Sequence, residues 1–183
     1  MHAPERRILG PTCSGNAVAE GAVAPGDVLS IEGEIVQVQV VGMRTTTVLT
    51  RRNETLTVPN YELATNTLRN LSKSPGGYWV RVVVAHSYED SSTEAGRILH
   101  DAARAFAGRA PNCEPRALMI ELGDNGVLWR VEVAVANPWR AALEESELRQ
   151  SLLLAMQNHG LTVPFPQLDV HVAGRDSGAS IQE

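Results

Sequence analysis

The sequence predicts an α+β protein of two modules, a small β-barrel followed by an α/β sandwich. Three observations carry this. Residues 26–72 alternate apolar and polar side chains, or run in β-branched ones, and no helical period fits them. Two later stretches, ending at Phe106 and His159, space their apolar residues like one face of a helix. Between the two patterns lies Lys73-Ser74-Pro75-Gly76-Gly77, a linker by composition.

The bounds agree with a globular protein. A chain of 183 residues can bury a proper core in one or two domains. Hydrophobic residues make up 43% and charged residues 20%, but aromatics only 4%, so the cores must be built from Val, Leu, Ile and Ala. A formal net charge of -5 and a pI near 5.6 argue against nucleic-acid binding through a basic patch. Cys13 and Cys113 are far apart and form no CxxC pair, against a disulfide framework or a zinc site. No run approaches the roughly 18 to 20 apolar residues of a membrane-crossing helix. The start, MHAPERRILGPTCSG, lacks the apolar stretch of a secretory signal.

The elements follow in order. Residues 1–24, rich in Gly, Ala and Pro, read as a flexible lead-in. The first module takes residues 25–73. Pro25-Gly26-Asp27 is a turn that opens a strand over Val28 to Ile31. After Glu32-Gly33-Glu34, the alternation of Val36, Val38 and Val40 with Gln37 and Gln39 gives a strand with one face inward. Three consecutive threonines favour a pleated surface over Met43 to Thr50. Arg51 to Glu54 is a solvated hairpin tip, Thr55 to Val58 a short strand, and Pro59 ends its ladder. Pro59-Asn60 reads as a turn in which Asn60 bonds neighbouring backbone. Leu63 to Leu71 should return to the barrel as a strand. Strands so short and so spaced suggest a closed or nearly closed barrel.

The second module takes residues 78–172. Tyr78 to Ala85 is a strand, and Ser91 to Glu94 fits a capping box. The helix it opens places Ala95, Ile98, Leu99, Ala102, Ala103 and Phe106 on one face and stops near Gly108. Arg116 to Leu122 and Val127 to Val135 are strands joined by a tight turn, with Asn125-Gly126 supplying positive φ. Leu143 to His159 is a helix with Leu148, Leu152, Ala155 and Met156 inward and Gly160 as its C′ cap. Strand, helix, strand, strand, helix implies a ferredoxin-like α/β sandwich with its helices on one face of a mixed sheet. Residues 173–183 read as a disordered tail.

Two groups of motifs resemble the cytoplasmic region of the small-conductance mechanosensitive (MscS-like) ion channel family. Gly26-Asp27, Gly33, Arg44-Thr45-Thr46, Val58-Pro59-Asn60, Asn66 and Asn70-Leu71-Ser72 are similar to the signals of its Sm-like β domain. Gly160-Leu161 and Val163-Pro164-Phe165-Pro166-Gln167, followed by Asp169-Val170, are similar to its C-terminal ending. The resemblance covers residues 25–172. Val36 and Glu34 depart from the family pattern where glycine is usual. The segment GPTCSGNAVAEGAVAP has the small residues of the family's pore helix but not its apolar length.

The resemblance implies a homo-oligomer, a heptamer, whose β domains form a ring below a pore and whose α/β domains enclose a vestibule. It implies a cell-membrane location with this region on the cytoplasmic side, and release of ions and small solutes under membrane tension. A shortened fragment, a degenerate gene product or a soluble oligomeric or interaction module that kept the fold without a pore all fit a chain that is soluble by itself. Arg44 could pair across a subunit interface or with Glu34 or Glu54.

No catalytic, cofactor-binding or metal-binding residue is assigned, and the expectation is that the protein is not an enzyme. His86, near Glu89 and Asp90, is read as a surface or capping residue rather than a ligand. His159 falls in a helix's last turn, where a cation favours the dipole. His100 and Asp101 point in different directions on their helix, and His171 could be taken, like the others, as a ligand or base. Cys113 reads as an inert loop thiol. No GxSxG elbow or phosphate loop is present. An Sm-like RNA binder is disfavoured by the acidic balance and the lack of interleaved aromatics over residues 25–72.

Overall fold

The computed structural model describes residues 23–165. Most of the expected flexible lead-in, the expected disordered tail, Cys13, His171, Pro166-Gln167 and Asp169-Val170 lie outside the described residues.

The first module is a five-stranded antiparallel sheet. Its strands are β1 (Val28–Ile31), β2 (Glu34–Val41), β3 (Thr45–Thr50), β4 (Thr55–Pro59) and β5 (Arg69–Asn70), in the spatial order β4-β3-β2-β1-β5. β1 and β2 meet at a two-residue turn in which Glu32 and Gly33 both take positive φ, 51° and 89°, as the twist of a tight hairpin demands. Val36 and Val38 point into the core as their alternation predicts. Val40 does not: it is 59% exposed, because a bulge at Gln39 shifts the register between Val38 and Val40 and reverses the inward face.

The expectation for Leu63 to Leu71 is corrected. Only Arg69–Asn70 returns as a strand, and Asn60–Thr65 forms a short helix, α1. Pro59 at its N-cap has φ -61°, a value its ring fixes, and donates no N–H. Glu62 lies in the first turn, which the helix dipole favours. Leu63 then enters a core with Val23, Leu29, Val36, Val38 and Val48. Pro59 itself pairs with Thr45, which an edge strand permits. No pairing joins β4 to β5 among the described residues, so the sheet stays open there.

The second module is a sandwich of one sheet and two helices. β6 (Tyr78–His86), α2 (Ser92–Ala105), β7 (Arg116–Gly123), β8 (Gly126–Val135) and α3 (Ala141–Asn158) follow in order, the last after a single 3-10 turn, Pro138–Arg140. The sheet order is β6-β8-β7 with every pairing antiparallel, which corrects the mixed sheet. β6 and β7 do run parallel, as a helical crossover requires, but β8 inserts between them. Both helices lie on one face. Leu99 and Ala103 of α2, Phe106 just past its end, and Leu148, Leu152 and Met156 of α3 pack on Val80, Val82, Val127, Trp129, Val131, Val133 and Val135.

The caps stand where the sequence predicts, although only half of the capping box forms: the Glu94 carboxylate pairs with Arg97. Ser91 caps α2, its hydroxyl accepting from the Glu94 N–H. At the end of α3 Gly160 has φ 72°, its N–H reaches the Gln157 carbonyl and the Leu161 N–H reaches Met156, a Schellman closure. The β7–β8 turn differs from expectation. Neither Asn125 nor Gly126 has positive φ. Gly126 is required instead by close approach, since a Cβ there would strike the His86 carbonyl and Pro164. Residues 73–76 are exposed, as a linker should be, but its two glycines approach the second module closely. Gly76 and Gly77 take φ 84° and 94°, and a Cβ on Gly77 would lie 2.7 Å from the Val135 carbonyl oxygen.

Candidate functional site

The motif residues of the first module gather at two staples. The first joins the two ends of the β module. Asp27 follows Gly26, whose φ of 90° turns the chain into β1. One Asp27 carboxylate oxygen accepts from the Ala24 N–H at 2.9 Å and from the Asn70 side-chain amide at 2.8 Å, and the Lys73 ammonium lies 3.6 Å away. Asn70 uses its carbonyl oxygen to accept from the Ser72 and Lys73 N–H groups at 3.1 and 3.3 Å. The Ser72 hydroxyl accepts from the Val28 N–H at 2.9 Å. Six residues therefore hold the incoming and outgoing chain in one place, and the bonds to the Asp27 carboxylate are charge-assisted, which makes them stronger than neutral ones.

The second staple is Asn60, 4% exposed. Its oxygen accepts from the Thr46 hydroxyl at 2.8 Å, its amide donates to the Gly42 carbonyl at 3.0 Å, and its backbone N–H donates to Arg44 at 2.9 Å. The bonds expected to be local instead span 14 to 18 residues. They tie the start of α1 to the β2–β3 connection. Arg44 gives this bond with its carbonyl, and no ion pair links it to Glu34 or Glu54 among the described residues. Where the sheet stays open, a cleft of about 600 Å³ lies between Leu56 and Val58 of β4 and Leu63 and Leu68, with Glu32, Glu34 and Glu62 on its lining. On the exposed side of α1, Tyr61 donates to Glu62 at 3.0 Å; that bond, then the carboxylate's charge, holds the phenol above its usual pKa.

The remaining candidates do not converge. Among the described residues no three His, Cys, Asp or Glu side chains stand close enough to hold a metal. His86 is not on the surface: it is 1% exposed, with Nδ1 2.8 Å from the Ser87 carbonyl and its ring 6.5 Å from that of Trp129. The alternation of β6 could have found this, because His86 continues the inward series Val80, Val82, Val84. His159 caps α3 with Nδ1 2.9 Å from the Ala155 carbonyl. His100 stands 3.9 Å from Asp101 on the surface of α2. The Cys113 thiol donates to the Gly76 carbonyl at 2.6 Å. The segment after α3 is anchored: the Thr162 carbonyl accepts from Ser87 at 2.9 Å, and the Thr162 N–H donates to Asp90 at 2.7 Å. The Asp90 carboxylate thus serves Thr162, and no hydrogen bond joins it to His86 among the described residues.

Sequence reasoning missed one constellation. Arg81, Arg116 and Arg130 surround Glu132 on the sheet face away from the helices. Its signal, four alternating charged positions on three strands, becomes visible only once the pairing register is known.

Comparison with known proteins fits this geometry. Residues 17–73 match the family model of the mechanosensitive ion channel β-domain, a stretch that contains both staples. Helicobacter pylori MscS in its closed state shares the fold with a TM-score of 0.71 at 16% identity, over 87% of this chain and 63% of that one. Wild-type MSL1 of Arabidopsis thaliana gives a TM-score of 0.64 at 12% identity, over 83% of this chain and 54% of that one. The chain thus spans less than two thirds of the length of the structures it matches. No protein of curated function matches it in sequence. No helix among the described residues is long and apolar enough to cross a membrane.

Proposed function

We propose, from the premise that the chain is MscS-like, with a mechanosensitive-channel β domain followed by an α/β domain, that it serves as the cytoplasmic vestibule portion of a tension-gated channel. The activity is the release of ions and small solutes when membrane tension rises, and it is not enzymatic. The carrying observation is the coincidence of the β-domain match over residues 17–73 with a fold likeness that covers 87% of the chain. The first staple supports the same reading. It fixes the segment arriving at Ala24 against the one leaving at Lys73, so displacement at one end reaches the other without passing through a flexible loop.

Gating in such a protein is a population shift. Tension favours the state of larger in-plane area, and the ratio of states follows that difference. The vestibule sets assembly and access. The reading places several copies around an axis at the cell membrane, with this region on the cytoplasmic side, and a heptamer is its expected number. The unpaired edges β4 and β5 on opposite sides of one sheet suit head-to-tail contacts that close into a ring.

A chimaera tests the reading. Residues 25–172 replace the matching region of Helicobacter pylori MscS, and tension-activated currents are recorded from excised membrane patches. Retained tension-gated conductance is expected. A chimaera that assembles in the membrane yet never opens under tension overturns the proposal.

A further inference from the structure

The outer face of the β6-β8-β7 sheet carries three arginines around a single carboxylate. Along one row of the register, Arg81 of β6 and Arg116 of β7 both pair with Glu132 of β8. Arg130, two residues before Glu132, projects from the same face. Its Nε lies 3.0 Å from a Glu132 carboxylate oxygen; Arg81 Nε lies 3.2 Å away, and an Arg116 terminal nitrogen 3.7 Å. The Glu132 side chain is 7% exposed, whereas those of Arg81, Arg116 and Arg130 are 67%, 60% and 41% exposed.

The stoichiometry is unbalanced. Three guanidinium groups carry about fifteen N–H donors, and one carboxylate offers about four acceptor positions. One negative charge faces three positive ones in a chain whose formal net charge is -5. One arginine would neutralise Glu132, and two more leave the cluster with a net positive charge and mutual repulsion between the guanidinium groups. Glu132 instead gathers the guanidinium groups and holds them side by side. Arg116 is further fixed by stacking 4.7 Å from the Trp79 ring centroid, which removes side-chain freedom before any ligand arrives. Glu121, one row beyond Arg130 on the same face, forms no ion pair with the three arginines among the described residues. The next row pairs Arg130 with Val83 and Leu118, both exposed apolar side chains.

We propose that this face is a binding site for a small dianionic phosphate group, held by Arg81, Arg116 and Arg130 and positioned by Glu132. The excess of two positive charges matches a phosphate or phosphomonoester dianion, and the planar guanidinium forks suit its oxygens. Val83 and Leu118 provide an apolar shelf for the organic part of an ester. The inference rests on the sheet register and is independent of the channel reading.

Titration calorimetry at constant ionic strength tests it, with inorganic phosphate in one arm and glycerol 3-phosphate in the other. Saturable binding is expected in at least one arm, and tighter binding of the ester would assign the shelf a role. Arg81→Gln and Arg116→Gln each change a well-exposed side chain, and circular dichroism verifies that they fold. Each is expected to weaken binding about tenfold or more. Absence of saturation in both arms, or undiminished affinity in both folded variants, overturns the proposal. So does loss of self-association in these variants without any phosphate binding, which would make the face a protein interface.

Discussion

At the residue scale, the family-like motifs act as staples rather than as chemistry. Asn60 shows why. A buried amide satisfies the Thr46 hydroxyl and the Gly42 carbonyl at once, and no other residue type of its size presents a donor and an acceptor so placed. Asn60→Ala leaves both groups without that partner, at a cost of about 1–3 kcal/mol for a buried unsatisfied group. The β module contains no tryptophan, because Trp79, Trp129 and Trp139 all lie in the second module. Asn60→Ala should therefore lower the denaturant midpoint followed by far-ultraviolet circular dichroism and leave the tryptophan-fluorescence transition in place. Unchanged unfolding by both probes would show that the staple contributes nothing. Asn60 was marked by the sequence as a turn residue, but its partners lie 14 to 18 positions away, and no local rule reaches that far. His86 is similar. Its place in the strand was legible from alternation, while its nearness to Glu89 and Asp90 in sequence suggested an exposure that the fold denies.

At the element scale, helix α2 meets the sheet through a glycine. A Cβ at Gly96 would lie 2.6 Å from the outermost ring carbon of Trp129, whose side chain is buried in the core. Helix propensity alone favours Gly96→Ala by up to about 1 kcal/mol. Overpacking a rigid ring costs about 1–3 kcal/mol, so the packing term is expected to win. The variant should be destabilised by about 1 kcal/mol and shift the Trp129 emission, as measured by fluorescence during denaturation. A more stable variant would mean that the ring yields. The helices themselves were legible because each carries both a periodic face and a cap, Ser91 for α2 and Gly160 for α3. The strand order was not. Inserting β8 between β6 and β7 makes it the most buried strand of the sheet, a choice made between elements and not within one. α1 was missed for a related reason: six residues give too short a window for a helical period, and Leu63 earns its helix by reaching the core of the β module.

At the scale of the whole molecule, the two modules touch as well as follow one another. The Arg51 guanidinium, at the tip of the β3–β4 hairpin, donates to the Pro138 carbonyl at 3.2 Å, and Gly77 brings the link against the Val135 carbonyl of β8. Assembly is the property that the channel reading most needs. Native mass measurement on the purified chain at high concentration should give a multiple of the 19.8 kDa protomer, and a clean monomer would remove the ring. By itself the sequence determined the two modules, their order, the helix faces and cap positions, and the resemblance borne by Gly26-Asp27, Val58-Pro59-Asn60 and the ending from Val163 to Gln167. Each of these is written in short-range patterns, where period, turn chemistry and capping act over a few residues. The tertiary structure alone decided which distant groups share a bond: Asp27 with Asn70, Asn60 with Thr46, and Glu132 with three arginines from three strands. Those juxtapositions depend on strand register and sheet order, which are set by burying a common core, and core burial is a sum over the whole chain that no local window contains.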